Sequence, residues 1–132
     1  MLALQRTTHA TLHRLATELV DLDLTSSEIN ALANLAGVEG RSVSELGAAA
    51  GVRPTTLTGV LDRLERRGHI TRGTRTGDRR TVLIELTPSG RAAADTIRQA
   101  ISDLEHRGLA DVPPAAVAGF HTVLQALTRA CR

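Results

Sequence analysis

Lysine, tyrosine and tryptophan are absent from this 132-residue chain, and phenylalanine, cysteine and methionine each occur once. Each shortage closes off a class of protein. The lone cysteine, Cys131, stands next to last, so there is no disulfide framework and a reducing cytoplasm is the expected home. No apolar run approaches the roughly 20 residues of a membrane span, and the N-terminus lacks the basic-then-apolar order of a signal peptide. The expectation is a cytoplasmic protein with no membrane partner. No phosphate-binding glycine loop, nucleophile elbow or loop-borne carboxylate pair is present. The sequence therefore assigns no catalytic residues, no cofactor and no metal, and an enzyme is not expected. With Phe120 the only aromatic residue, any ligand cavity would be walled mainly by Leu, Ile, Val and Ala.

What is present is arginine, unevenly placed. A chain of this length is most economically one domain able to bury roughly 70% of its extended surface. Its net charge of +2 hides an asymmetry. Residues 41–80 carry nine Arg against four acids, whereas residues 1–40 carry two against five and residues 81–132 carry five of each. A basic middle third is either a solvated face or a site for a polyanion. Four of these arginines, Arg72, Arg75, Arg79 and Arg80, crowd the stretch TRGTRTGDRRTVLIELT, which reads as two extended runs around a glycine turn.

Helical periodicity governs most of the rest, with no internal repeat. Leu12, Leu15, Ala16 and Leu19 form one apolar stripe and predict a first helix over residues 5–21. In LTSSEI, Thr25 and Glu28 make a capping box, with Leu24 and Ile29 as its hydrophobic staple, for a second helix ending near Leu35. Ser42 and Glu45 repeat the box, and Gly51 is placed to end that short third helix in a left-handed turn. Pro54 suits the first position of a fourth helix running to about Gly68, with the pre-proline Arg53 as its extended cap. Ile70–Arg72 and Val82–Leu86 read as the strands of a hairpin, with Val82, Ile84 and Leu86 on one face. Thr87 and Pro88 open a long fifth helix, striped by Ile97, Ile101 and Leu104, that stops near Gly108. Val117, Phe120, Leu124 and Leu127 define a last helix after Pro113 and Pro114.

Two short capped helices joined by about four residues form a helix-turn-helix. With Leu57, Val60, Leu61 and Leu64 facing inward, the fourth helix turns Thr55, Gly59, Asp62 and Arg66 outward and Thr56, Thr58 and Arg63 to the flanks. Short hydroxyls and a glycine allow close approach to base edges, and threonine methyls match thymine methyls in the major groove. The alternative is an ordinary solvated helix surface. A hairpin directly after such a helix projects beside it, where arginines meet the negative potential of an adjacent minor groove. The residues expected to face DNA are Arg53, Thr55, Thr56, Thr58, Gly59, Arg63, Arg66, Arg75, Arg79 and Arg80.

The segment SVSELGAAAGVRPTTLTGVLDRLERRGHITRGTRTGDRRTVLIELTPSGR resembles the MarR family of bacterial winged-helix regulators. The resemblance rests on Leu-Asp-Arg-Leu-Glu-x-x-Gly, the Asp-Arg-Arg of the wing and Leu-Thr-x-x-Gly-Arg, in that order and spacing; LTSSEINALANL is similar to the family's second helix. It covers most of residues 24–91. It implies a mainly α (α+β) fold, a winged helix-turn-helix with a small antiparallel hairpin, whose DNA-binding lobe spans residues 24–90. Residues 1–22 and 91–132 would then form a helical dimerisation region, all within a single domain. It further implies a homodimer on a pseudo-palindromic double-stranded operator, most simply a repressor relieved by a small amphipathic or phenolic effector. One wing arginine would reach DNA while Asp62 pairs with Arg80 to anchor the wing; the choice between Arg79 and Arg80 for the groove stays open. The reading from a different class is a winged-helix module turned to protein–protein contacts. Zinc- and peroxide-sensing branches exist in the family, but His9, His13, His106 and His121 do not align with such ligands. Cys131 lacks the N-terminal position and supporting tyrosines of a peroxide sensor.

Overall fold

The structure, a computed structural model, describes residues 2–75 and 77–131, with Arg75, Asp78 and Arg79 described by their backbone only. The elements are α1 (Leu2–Glu18), a 3-10 turn (Val20–Leu22), α2 (Ser26–Leu35), β1 (Arg41–Ser42), α3 (Val43–Ala50), α4 (Pro54–Arg66), β2 (Ile70–Arg75), β3 (Asp78–Leu86), α5 (Pro88–Leu109) and α6 (Pro114–Ala130). This is a mainly helical winged helix-turn-helix with a small antiparallel sheet. Among the described residues no helix is long and apolar enough to cross a membrane.

The helix starts follow from local chemistry. Both capping boxes close reciprocally, Thr25 with Glu28 and Ser42 with Glu45, so each side chain satisfies a backbone donor that the helix start leaves open. Gly51 ends α3 at φ 69°, and Pro54 opens α4 behind the extended Arg53. The first helix departs from expectation at both ends: it starts at Leu2 and stops at Glu18 rather than running over residues 5–21. Beyond it the chain tightens, with Leu22 N–H donating to Leu19 O and Asp23 N–H to Val20 O, and Asp23 reverses it at φ 51°. The apolar stripe survives this change, because Leu15 and Leu19 are both buried.

The sheet holds one strand more than the hairpin the sequence predicts. The order is β1-β3-β2, with Arg41 opposite Ile84 and Ser42 opposite Leu83. The two main strands also run further, to Arg75 and from Asp78, with Ile70 opposite Leu86, Arg72 opposite Ile84 and Thr74 opposite Val82. Their apolar face fades outward: Ile84 is buried and Leu86 half-buried, but Val82 is 43% exposed, because the hairpin leaves the body of the lobe.

The chain divides into two compact units, one ending at Ile101 and one beginning at Ser102. The first holds the core: Leu15 and Leu19, Ile29, Leu32 and Leu35 of α2, Leu46 of α3, Leu57, Val60, Leu61 and Leu64 of α4, Ile70, Ile84, and Ala93, Ala94 and Ile97 of α5. Each large aliphatic side chain buried there contributes about 1.5–3 kcal/mol. The second unit, the end of α5 and all of α6, buries none of its described residues.

Two glycines mark close backbone approaches. A Cβ at Gly47 would sit 2.9 Å from Val52 O across the turn between α3 and α4, and one at Gly90 would sit 1.8 Å from His69 O. The second contact fastens the start of α5 to the link between α4 and β2.

Candidate nucleic-acid interface

The inward face of α4 is as the periodicity predicts, with Leu57, Val60, Leu61 and Leu64 at 3% exposure or less. This packing fixes which residues are left outside. Arg53, Thr55, Thr56, Thr58, Arg63 and Arg66 are exposed, and Gly59 is half-buried among them. The Thr58 hydroxyl donates to Pro54 O at 2.9 Å, so it offers a partner its lone pairs and its methyl rather than its proton. The α3 end is steadied from behind by Asn30 Nδ2, which donates to Ala50 O at 3.0 Å.

The hairpin stands beside this face and is tied to it by charge. Arg72 on β2 places one terminal guanidinium nitrogen 2.6 Å from Asp62 Oδ1 and its Nε 3.6 Å from Glu65 Oε2, bridging to two carboxylates one helical turn apart on α4. Asp62 thus pairs with Arg72, at the end of the strand that the sequence predicts over Ile70–Arg72. Arg80, its expected partner, lies exposed on β3. The side chains of Arg75 and Arg79 lie outside the described residues.

A second cluster joins α4 to the start of α2. Glu28 is 3% exposed, and its Oε1 accepts from Thr25 Oγ1 at 2.9 Å within the capping box. The same oxygen lies 3.7 Å from Arg63 Nε, and Oε2 lies 3.7 Å from an Arg67 terminal nitrogen. Arg67 also donates to the carbonyls of Asp23 and Leu22, the latter at 3.0 Å, closing the loop before α2 onto the end of α4. Periodicity could not reveal this cluster, since the capping box alone accounts for a glutamate at position 28.

His69 fills the junction of α4, β2 and α5. Its N–H donates to Leu64 O at 2.9 Å, its carbonyl accepts from Thr87 N at 3.1 Å, and its Nδ1 meets Ser89 Oγ at 2.8 Å. Burial, then the Arg67 charge, hold its pKa below the ordinary 6.5, against an opposing pull from Glu28.

A polar cleft of about 360 Å³ lies apart from α4, lined by Gly37, Glu39, Glu85, Arg91 and Asp95 among others. Three carboxylates in its wall disfavour an anion there. His9, His13, His106 and His121 are exposed, as is Cys131, and no group of three or more metal-ligating side chains occurs among the described residues.

Residues 22–81 match the family model described as MarR family. The whole fold is similar to CouR from Rhodococcus jostii RHA1, solved bound to p-coumaroyl-CoA, at 26% identity and TM-score 0.86 over 96% of this chain and 89% of that one. It is similar to the transcriptional regulator PA3341 at 26% identity and TM-score 0.89, over 98% and 96% of the two chains. A MarR family transcriptional regulator from Silicibacter pomeroyi gives 26% identity and TM-score 0.84 over 98% and 88%. Among curated protein sequences none matches.

Proposed function

We propose that this chain, which matches the MarR family model over residues 22–81 and is similar in structure to transcriptional regulators, binds a pseudo-palindromic double-stranded operator as a homodimer and represses until a small ligand releases it. The observation that carries this reading is α4 itself. One face is wholly buried and the other is a short, polar, arginine-flanked surface, with the hairpin fastened beside it through Arg72. In this reading Thr55, Thr56, Thr58, Gly59, Arg63 and Arg66 meet the major groove, with Arg53 at the phosphates. Arg75, Arg79 and Arg80 serve the minor groove, and Asp62 anchors the wing through Arg72 and Arg80.

Dimerisation is supported by the unit from Ser102 onward. It is amphipathic yet buries nothing by itself, and Phe120 and Val123 of α6 are each 53% exposed. Such a surface needs a cover, and a second copy supplies one symmetrically. The effector is a small amphipathic or phenolic molecule, a class supported by the p-coumaroyl-CoA held by the Rhodococcus jostii protein.

Selection from random duplexes, followed by sedimentation, tests the proposal. It predicts enrichment of two inverted half-sites about one helical turn apart and a free species near twice 14.0 kDa. A monomer that enriches no sequence would instead favour a winged helix turned to protein partners.

A further inference from the structure

Arg63 on α4 faces a buried carboxylate on another helix, whereas Arg66 turns back to its own helix and donates to Asp62 O at 3.4 Å. The Arg63 guanidinium lies across the helix flank, where a terminal nitrogen would be only 3.7 Å from a Cβ at Gly59. Its Nε faces Glu28 Oε1 at 3.7 Å. Among the described residues no hydrogen bond engages its two terminal nitrogens. A guanidinium approached from its Nε edge keeps that terminal pair for a second partner, and guanine O6 and N7 in the major groove suit such a fork.

Glu28 offers more than the capping box uses. A capping box needs one carboxylate oxygen, and Oε1 already fills that role with Thr25. Oε2 is buried with no hydrogen bond in the described structure, 3.7 Å from Arg67. Burying a carboxylate is costly unless cations compensate it, so both arginines are drawn to this point. Arg67 is further held by the Leu22 and Asp23 carbonyls, which makes it the fixed member of the pair. Arg63, with a side chain 45% exposed, is the member able to face outward.

We infer that Glu28 is a positioning residue for sequence readout: its buried carboxylate holds Arg63 by the Nε edge, so that the terminal nitrogens are preset for one guanine of the half-site. The inference rests on the DNA-binding reading above. Presetting matters because an arginine left free must lose its rotamer freedom at the moment of binding, which erodes both affinity and discrimination. Glu28→Gln is the sharpest perturbation. Glutamine serves the capping box as well as glutamate does, but it carries no charge for Arg63.

The experiment measures binding of wild type, Glu28→Gln, Arg63→Ala and the double variant to the selected duplex. It also uses duplexes with each half-site base pair exchanged in turn, and thermal melts of every protein. The expected result is that Arg63→Ala abolishes discrimination at one G·C pair, a loss of roughly ten- to a hundredfold. Glu28→Gln should lose much of the discrimination at that same pair and at no other, and add nothing in the Arg63→Ala background. A purely structural Glu28 would lower the melting temperature and weaken all duplexes alike, and that pattern overturns the inference, as does additivity of the two substitutions. A wild type that binds no duplex overturns the DNA-binding reading and this inference together; wild-type selectivity with no coupling overturns the inference alone. Should Glu28→Gln fail to fold, the Arg63 Nε–H signal of the wild type, assigned by its loss in Arg63→Lys, decides. Slowed solvent exchange supports the buttress, and exchange as fast as in an unstructured arginine peptide refutes it.

Discussion

Replacing Gly90 by alanine sets two opposed effects against each other. Gly90 is the third residue of α5, and helix propensity alone makes Gly→Ala stabilising by about 1 kcal/mol. The structure reverses the sign. The new methyl would stand 1.8 Å from His69 O, 2.7 Å from its carbonyl carbon and 3.1 Å from its Cα, all backbone atoms with no rotamer to escape into. Relief requires α5 to withdraw by more than 1 Å. That motion strains the bonds at the junction, Thr87 N to His69 O at 3.1 Å, Thr87 Oγ1 to Gly68 O at 2.5 Å and Ser89 Oγ to His69 Nδ1 at 2.8 Å. Overpacking costs about 1–3 kcal/mol, and each weakened hydrogen bond adds up to about 1 kcal/mol. After the propensity gain is set against these, a net loss of about 3 kcal/mol remains, or roughly 10 °C in melting temperature for a chain of this size. Urea and thermal melts at one fixed protein concentration measure it. A Gly90→Ala variant as stable as wild type, or more so, would refute the close approach of α5 to His69.

The wing tether predicts that Asp62→Ala and Arg72→Ala couple in DNA affinity; in stability the coupling should be only about 0.2–1 kcal/mol, since both side chains are partly exposed. Additive losses in affinity would count against it, and the same cycle with Arg80→Ala measures that arginine's share of Asp62. Thr55→Ala should alter which half-site is preferred, with about 1–3 kcal/mol lost at a good contact, and an unchanged preference in a repeated selection would remove Thr55 from the interface. His69 holds its proton less well folded than unfolded, so the unfolded chain binds more protons between its depressed value and 6.5. Stability is therefore full above 6.5 and falls as pH drops through that window; urea melts at two pH values should show a smaller fall for His69→Gln, and equal falls would exclude His69 as a contributor.

Elements set by local chemistry were legible in the sequence. The capping boxes at Thr25 and Ser42, the glycine turn at Gly51 and the buried face of α4 depend on neighbours within four residues, and those neighbours are visible in a linear reading. What escaped depends on residues brought together from afar. Strand β1 is two residues long, too short for any alternation, and exists because Arg41 and Ser42 lie along the central strand. Arg72 reaches Asp62 only because the chain reverses after Gly68, at φ 74°, laying β2 along α4. The link from Glu28 to Arg63 and Arg67 spans more than thirty residues and was masked by a local motif that already explained the glutamate. The wing-tip assignments to Arg75 and Arg79 fall on side chains outside the described residues.

Whether α4 and the wing form a sequence-reading surface for DNA is decided by a salt series. Anisotropy of the selected duplex, titrated with wild type and with the Arg79→Ala, Arg80→Ala double variant, gives affinity as a function of salt. For a surface that neutralises phosphates, log K falls linearly with log salt, with a slope of about −0.9 per phosphate neutralised. The variant should give a flatter slope and weaker binding, and wild type should prefer the selected over a scrambled duplex by at least about a thousandfold. An affinity indifferent to salt and sequence, or a double variant that binds as tightly as wild type at physiological salt, would contradict such a surface.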